Sequence, residues 1–143
     1  MRVREIGLVT ASLLAIAAGS LRAQAGAASE QQTGAEVLIR QRLKSDLRNL
    51  VTAQEAYFAD HASYAPSLEA LAQFRPSAGS QVRLVLTQER SWAATANDAK
   101  AAKSNCAIWI AVDNEAYRPK TLKEKRVGRE GEPVCDGDPQ PTG

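Results

Sequence analysis

The sequence predicts an α+β domain: a long N-terminal amphipathic helix packed on a three- to four-stranded antiparallel meander, with a disulfide-tied C-terminal segment. Three observations predict this fold. Apolar side chains in residues 43–60 recur with a helical period. From residue 82 onward they alternate with the period of two that strands require. The only two cysteines lie in the last alternating segment and near the C terminus.

The helix is predicted from its apolar stripe. At about 100° per residue, the large apolar side chains of this segment fall within an arc of about 120°, the width of a core-facing stripe. Gln54 points into the same arc, and because a buried amide must find hydrogen-bond partners, we expect it to bond to the next layer or to lie at a gap. Core packing is our interpretation, and groove binding or a coiled coil is the alternative. The stripe consists of Leu43, Leu47, Leu50, Val51, Tyr57 and Phe58.

The helix is expected to end near Asp60 or His61, because Pro66 disfavours helical backbone at Ala65. A short helical turn over residues 67–72 is expected to follow, with Ser67 as its N-cap.

Three strands are predicted over residues 82–87, 91–96 and 104–112. The turns between them are too short for a parallel crossover, so the strands must be antiparallel. A further short strand is expected near residues 118–122. The alternation places three side chains of each main strand on one face: Val82, Leu84 and Leu86; Trp92, Ala94 and Ala96; Cys106, Ile108 and Ile110.

Residues 1–25 have the pattern of a secretory signal peptide. Arg2 and Arg4 precede an uncharged, mostly apolar run over residues 6–21, and Ala23-Gln24-Ala25 is a small-x-small cleavage pattern. We expect cleavage after Ala25, with Ala23 as the other position, and an uncleaved membrane anchor is the alternative. The protein is therefore predicted to be periplasmic or secreted. The remaining domains are a flexible linker, 26–35, a globular domain, 36–136, and a disordered tail, 137–143.

The charge gives no support for nucleic-acid binding. Residues 1–25 contain Arg2, Arg4 and Arg22 against Glu5, so 15 of the 18 basic and 15 of the 16 acidic residues remain after them. The basic balance of the whole chain therefore comes from the segment that we expect to be removed, and the remaining chain is neutral.

Cys106 and Cys135 predict a structural disulfide, since an even number of cysteines in a small exported domain is typical of one. Closing a loop of about 30 residues would stabilise the fold by about 3–4 kcal/mol on the chain-entropy model. A redox or metal role would require CxxC spacing or further ligands, and the sequence has neither.

No constellation in the sequence predicts an enzyme, a cofactor or a metal. His61 is the single histidine, and its place at a helix end favours a dipole contact or exposure over catalysis or a metal site with Asp60. Asp113, Asp136 and Asp138 are weighed as calcium ligands, but Asp136-Gly137-Asp138 is too short for a calcium loop. A basic cluster interrupted by Glu124, Glu130 and Glu132 indicates a solvated loop, with a phosphate- or DNA-contacting patch as the alternative. It comprises Lys120, Lys123, Lys125, Arg126 and Arg129.

Residues 46–60, with Ser63-Tyr64 and the Leu68/Leu71 pair after them, resemble the helix-to-loop region of type IV pilins and type II secretion pseudopilins. Residues 91–96 and 106–110 resemble the second and third strands of that family. The resemblance covers residues 43–112, with Cys135 as the partner cysteine. The chain differs from the family's pattern at the N terminus. No Glu stands at the fifth position after Gly7, and residues 26–35 separate the apolar run from the helix.

The resemblance implies a non-enzymatic, exported, pilin-like structural or interaction protein that presents loops or a sheet edge to a protein partner. Pilus or secretion-system components are the partners that it implies. One alternative is a minor pilin or pseudopilin retained in the membrane, which requires that residues 6–21 are not cleaved. Another is a module that binds DNA or an anionic surface through residues 120–129.

Overall fold

The computed structural model describes residues 17–139, and their side chains from residue 34 onward except at 102 and 103. The chain divides into two compact units, Met1–Gly34 and Ala35–Gly143, and all packing described below lies within the second. The fold is α+β, with one helix packed on a four-stranded sheet. Its elements in order are α1 (Ala17–His61), a 3₁₀ turn (Leu68–Ala70), β1 (Ser80–Thr87), β2 (Trp92–Asp98), β3 (Ala101–Ile110), a second 3₁₀ turn (Glu115–Tyr117) and β4 (Val134–Cys135).

The sheet is an antiparallel meander with its strands in sequence order, β1-β2-β3-β4, as predicted. The fourth strand is β4, and the prediction of a strand near residues 118–122 is wrong. Pro119 has no N–H to donate to a ladder. The Thr121 N–H donates to the carbonyl of Arg126 (3.0 Å) and the Leu122 N–H to Oδ1 of Asn105 (3.1 Å). These bonds to a turn carbonyl and to a side chain of β3 take the place of strand pairing.

The apolar stripe of α1 packs on one face of the sheet. Leu43, Leu47 and Leu50 are fully buried in a cluster that includes Trp92, Ile108 and both cysteines. Val51 and Tyr57 pack against this cluster while partly buried. Phe58 is half-buried, with its ring centroid 4.8 Å from that of Tyr64.

A β-bulge sends Leu86 to the opposite face of the sheet from the one predicted. The register of β1 with β2 shifts between Leu84 and Leu86, so Val85 is an extra residue without an opposite partner. Val82 and Leu84 remain on the helix-facing side, whereas Leu86 packs against a second cluster of Ala93, Trp109 and Val112.

Gln54 fastens α1 to the segment that follows it. Its side chain is fully buried, and its amide forms two bonds with one residue of the next loop. The Ala65 N–H donates to Oε1 (2.8 Å), and Nε2 donates to the Ala65 carbonyl oxygen (3.3 Å). The expected polar contact with the next layer is therefore present, and it satisfies both backbone groups of a buried residue.

The helix ends at His61, as predicted, and Ala62 adopts left-handed backbone (φ 55°) while its N–H donates to the carbonyl of Phe58 (2.8 Å). Since a Cβ is unfavourable in this conformation, Ala62→Gly is expected to raise the free energy of unfolding by about 1 kcal/mol. Ala59→Gly, at an exposed helical position three residues earlier, should lower it by about 0.5–1 kcal/mol. Urea unfolding of both variants checks this, and two changes of the same sign would contradict it.

The structure is helical over residues 26–35, where the sequence predicts a flexible linker. The alanines, glutamines and glutamate of this segment favour helix, and they outweigh its two glycines. Residues 137–139, the start of the predicted disordered tail, make hydrogen bonds to Glu124 and Arg126. Residues 1–16 and 140–143, which hold most of the predicted signal peptide and the rest of the tail, lie outside the described residues.

Candidate interaction surfaces

The predicted disulfide is present and joins β3 to β4. Cys106 and Cys135 are opposite each other in the strand register, and both are fully buried among the side chains of the main cluster. The bond joins two residues that are 29 positions apart in the sequence. It therefore fixes the C-terminal segment to the sheet next to the point where α1 packs.

Asp136, the residue after the disulfide, organises the loop that precedes it. Its buried carboxylate accepts hydrogen bonds from the N–H groups of Glu124 (2.8 Å) and Lys123 (3.1 Å). Burial acts to raise the pKa of Asp136, but the Thr121 hydroxyl and these two N–H groups outweigh it and hold the pKa below its usual value. The ionised carboxylate thus acts as a structural acceptor.

Asp138 connects the disulfide-bonded segment to α1. Its Oδ2 accepts from the Cys135 N–H (2.9 Å) and lies 2.7 Å from Nζ of Lys44 in α1. Asp113 is exposed and lies elsewhere, in a depression beside residues 88–91. The three aspartates that we weighed as calcium ligands are therefore not brought together. In the part of the chain that the structure describes, no three His, Cys, Asp or Glu side chains form a metal-binding group.

A cavity of about 620 Å³ lies between the end of α1 and residues 70–75, and it contains His61 and Asp60. The His61 ring stacks on Tyr57 at a centroid distance of 3.9 Å, and its Nδ1 lies 2.9 Å from the Tyr57 carbonyl oxygen. Thr52 supplies the only aliphatic hydroxyl among the residues that line the cavity, and it contacts the carbonyl of Arg48 (3.4 Å). The geometry offers a groove with a polar rim and no nucleophile poised beside the imidazole.

Tyr64 joins the helix end to the sheet through its ring and its hydroxyl. The ring meets Trp92 edge-on at 6.3 Å, and the hydroxyl donates to Oε1 of Glu55 (2.8 Å). The pKa of Tyr64 is raised from 10.0 to about 12. Burial is the larger cause, and the hydrogen bond to the Glu55 carboxylate is the second. Both causes disfavour the phenolate.

Stability is expected to fall in alkaline solution because of Tyr64. Its pKa is higher in the folded chain than in the unfolded one, so the stabilisation is complete below pH 10 and is lost as the pH rises towards 12. Urea unfolding from pH 9 to 12 checks this, with Tyr64→Phe as the control for all other titrating groups. If both proteins lose stability equally over that range, the assignment to Tyr64 is wrong.

Strand β1 is an exposed edge of the sheet. Its neighbour is β2 alone, and along it the side chains of Gln81, Arg83 and Val85 are exposed. The other edge, β4, has only two residues. Among residues 17–139 no further strand pairs with β1, so it is an edge strand, and the bulge at Val85 and the charge of Arg83 oppose uncontrolled pairing along it.

The predicted basic cluster divides into two groups. Arg126 is mostly buried and donates to the carbonyls of Asp138 (2.6 Å) and Pro139 (3.2 Å), so it is part of the fold. The other four cations are exposed. Three apolar side chains that the sequence did not lead us to expect are exposed among them, although each directly adjoins a basic residue in the sequence. They are Tyr117, Leu122 and Val127.

Sequence comparisons found no family model and no curated protein that matches this chain. Among residues 17–139, no helix has both the length and the apolar character needed to cross a membrane.

Proposed function

We propose that this protein is a non-enzymatic, exported, pilin-like structural or interaction protein that presents its loops or the edge of its sheet to a protein partner. The order of elements supports the proposal: α1 packs by its apolar stripe on an antiparallel meander, and a disulfide then fixes the C-terminal segment. The residues that carry the pilin resemblance, 43–112, supply the helix and the three main strands of this arrangement.

Strand β1 is the surface that we assign to the partner. It is the longer of the two sheet edges, and an added strand would bond to its backbone while contacting Gln81, Arg83 and Val85. A photo-crosslinking residue at Val85 should give one discrete adduct in the producing cells, and the same residue at exposed Thr52 on α1 should not. Equal labelling from both positions, or none from Val85, would refute the role of this edge.

The alternative of a membrane-retained minor pilin or pseudopilin is favoured by the bounds of α1. Among the residues that the structure describes, α1 includes residues 17–21 of the apolar run and all of residues 26–35. Helical backbone over residues 26–35 matches the pilin pattern, in which no linker interrupts the helix.

N-terminal sequencing of the protein from its producing cells separates these two proposals. A chain that starts at Gly26 is exported and free of the apolar run. A chain that retains residues 6–21 and fractionates with membranes is the retained form, and polymerisation would then have an apolar segment to drive it.

A further inference from the structure

A surface that combines cations with apolar side chains lies on residues 117–129, and the proposed function does not use it. Tyr117 and Leu122 are 63% and 62% exposed, and Val127 is 41% exposed. In the part of the chain that the structure describes, six large apolar side chains are exposed, and half of them lie here. We call it the 117–129 surface; its cations are Lys120, Lys123, Lys125 and Arg129.

Two of the acidic side chains near this surface are paired with arginines. Glu115 pairs with Arg118 (3.2 Å), which also stacks on the Trp109 ring, and Glu124 pairs with Arg126 (3.3 Å). The Glu130 carboxylate accepts from the N–H of Ala111 (2.7 Å). Among residues 34–139, apart from the two with undescribed side chains, none of the four exposed cations has a salt-bridge partner. Glu130 and the exposed Glu132 also lack a salt-bridge partner among the described side chains, and the Asp136 carboxylate interacts with Lys123. The surface therefore has mixed charge, in which the four exposed cations outnumber these three carboxylates.

The loop that carries Leu122 is held in one conformation. The Leu122 N–H donates to the side chain of Asn105. The N–H groups of the next two residues, Lys123 and Glu124, donate to the buried Asp136 carboxylate. The N–H of Thr121 and the carbonyl of Arg126 close the turn at 3.0 Å. Because these bonds already order the backbone, the exposed leucine would dock with little further loss of loop entropy.

We propose that the 117–129 surface docks on a membrane that contains anionic lipids. Leu122 and Val127 would enter the boundary between head groups and acyl chains, where their apolar area leaves water. The lysines and Arg129 would contact lipid phosphates, which attract basic residues at a membrane surface. A nucleic acid would use the same cations, but it would gain nothing from an exposed leucine and valine. The inference goes beyond the pilin-like proposal and does not depend on it.

The first test places an environment-sensitive dye on the loop of the full chain. A local readout is needed because residues 6–21 are apolar and would enter a bilayer themselves. The dye is attached at Leu122→Cys and, as the control, at Val85→Cys on β1, and vesicles are made of phosphatidylcholine alone or mixed equally with phosphatidylglycerol. We expect a blue shift at position 122 with the anionic vesicles, reduced by salt, and none at position 85. No shift at 122, the same shift with neutral vesicles, or the same shift at 85 would overturn the proposal.

The second test separates the apolar from the charged contribution, with the dye at Val127→Cys. Leu122→Ser should raise the half-saturating concentration of anionic lipid about tenfold, and Lys123→Gln should raise it about fivefold. Lys100→Gln, an exposed lysine elsewhere, should leave it unchanged. If duplex DNA displaces the vesicles and Leu122→Ser has no effect, the surface is a general polyanion site and the lipid proposal fails.

Discussion

Replacing Leu47 with alanine is expected to lower the free energy of unfolding by about 3–4 kcal/mol. Leu47 is fully buried between α1 and the sheet, in the same cluster as Trp92 and Ile108. The substitution removes its transfer free energy and leaves a cavity, because neighbours on two different elements cannot close together over the gap. Urea unfolding followed by the fluorescence of the two tryptophans measures the change, since Trp92 lies in the affected core.

Leu38→Ala is the matched control for this prediction. Leu38 lies on the same helix but is 67% exposed, so its replacement should change the free energy of unfolding by no more than about 0.5 kcal/mol. The two variants share the same change in helix propensity, and the difference between them isolates burial. A loss below about 1 kcal/mol for Leu47→Ala, or equal losses for both variants, would mean that the stripe does not form the core.

The stripe of α1 could be predicted because burial on a helix follows a fixed period. Leu43, Leu47 and Leu50 are buried where the period places them, and the polar exception, Gln54, has the partners that its burial demands. The disulfide was predictable for a different reason: two cysteines in a chain with an export pattern have one pairing available. These features depend on local sequence or on residue counts.

The features that sequence reasoning missed depend on long-range geometry. Leu86 follows the strand alternation in sequence, but the bulge at Val85 turns it to the other face. Asp136 organises amides 12 and 13 residues away, and no pattern within residues 118–126 indicates that their hydrogen bonds go there instead of to a strand. The basic cluster was visible, but which of its cations remain exposed follows from partners outside the cluster, such as the carbonyls of Asp138 and Pro139.

Removing the disulfide is expected to lower the free energy of unfolding by about 3–4 kcal/mol, because the unfolded chain regains the freedom of a loop of about 30 residues. Reduction of the native protein tests this without changing side-chain volume, and the double variant Cys106→Ala, Cys135→Ala tests it without reductant. The reductant should leave the double variant unchanged, which controls for its other effects. A loss below about 1 kcal/mol on reduction would contradict the prediction.

The loss of the disulfide should also be local, because β4 is a short strand at the edge of the sheet. That strand has only two residues, and its sheet partner is β3. Without the covalent bond, the Asp136 carboxylate next to Cys135 is fixed less firmly, and the N–H groups of Lys123 and Glu124 lose their acceptor part of the time. Hydrogen exchange at these two amides should therefore accelerate more than exchange in β2, which is paired on both sides. Uniform acceleration across the sheet would instead show that β4 and the strands unfold as one unit.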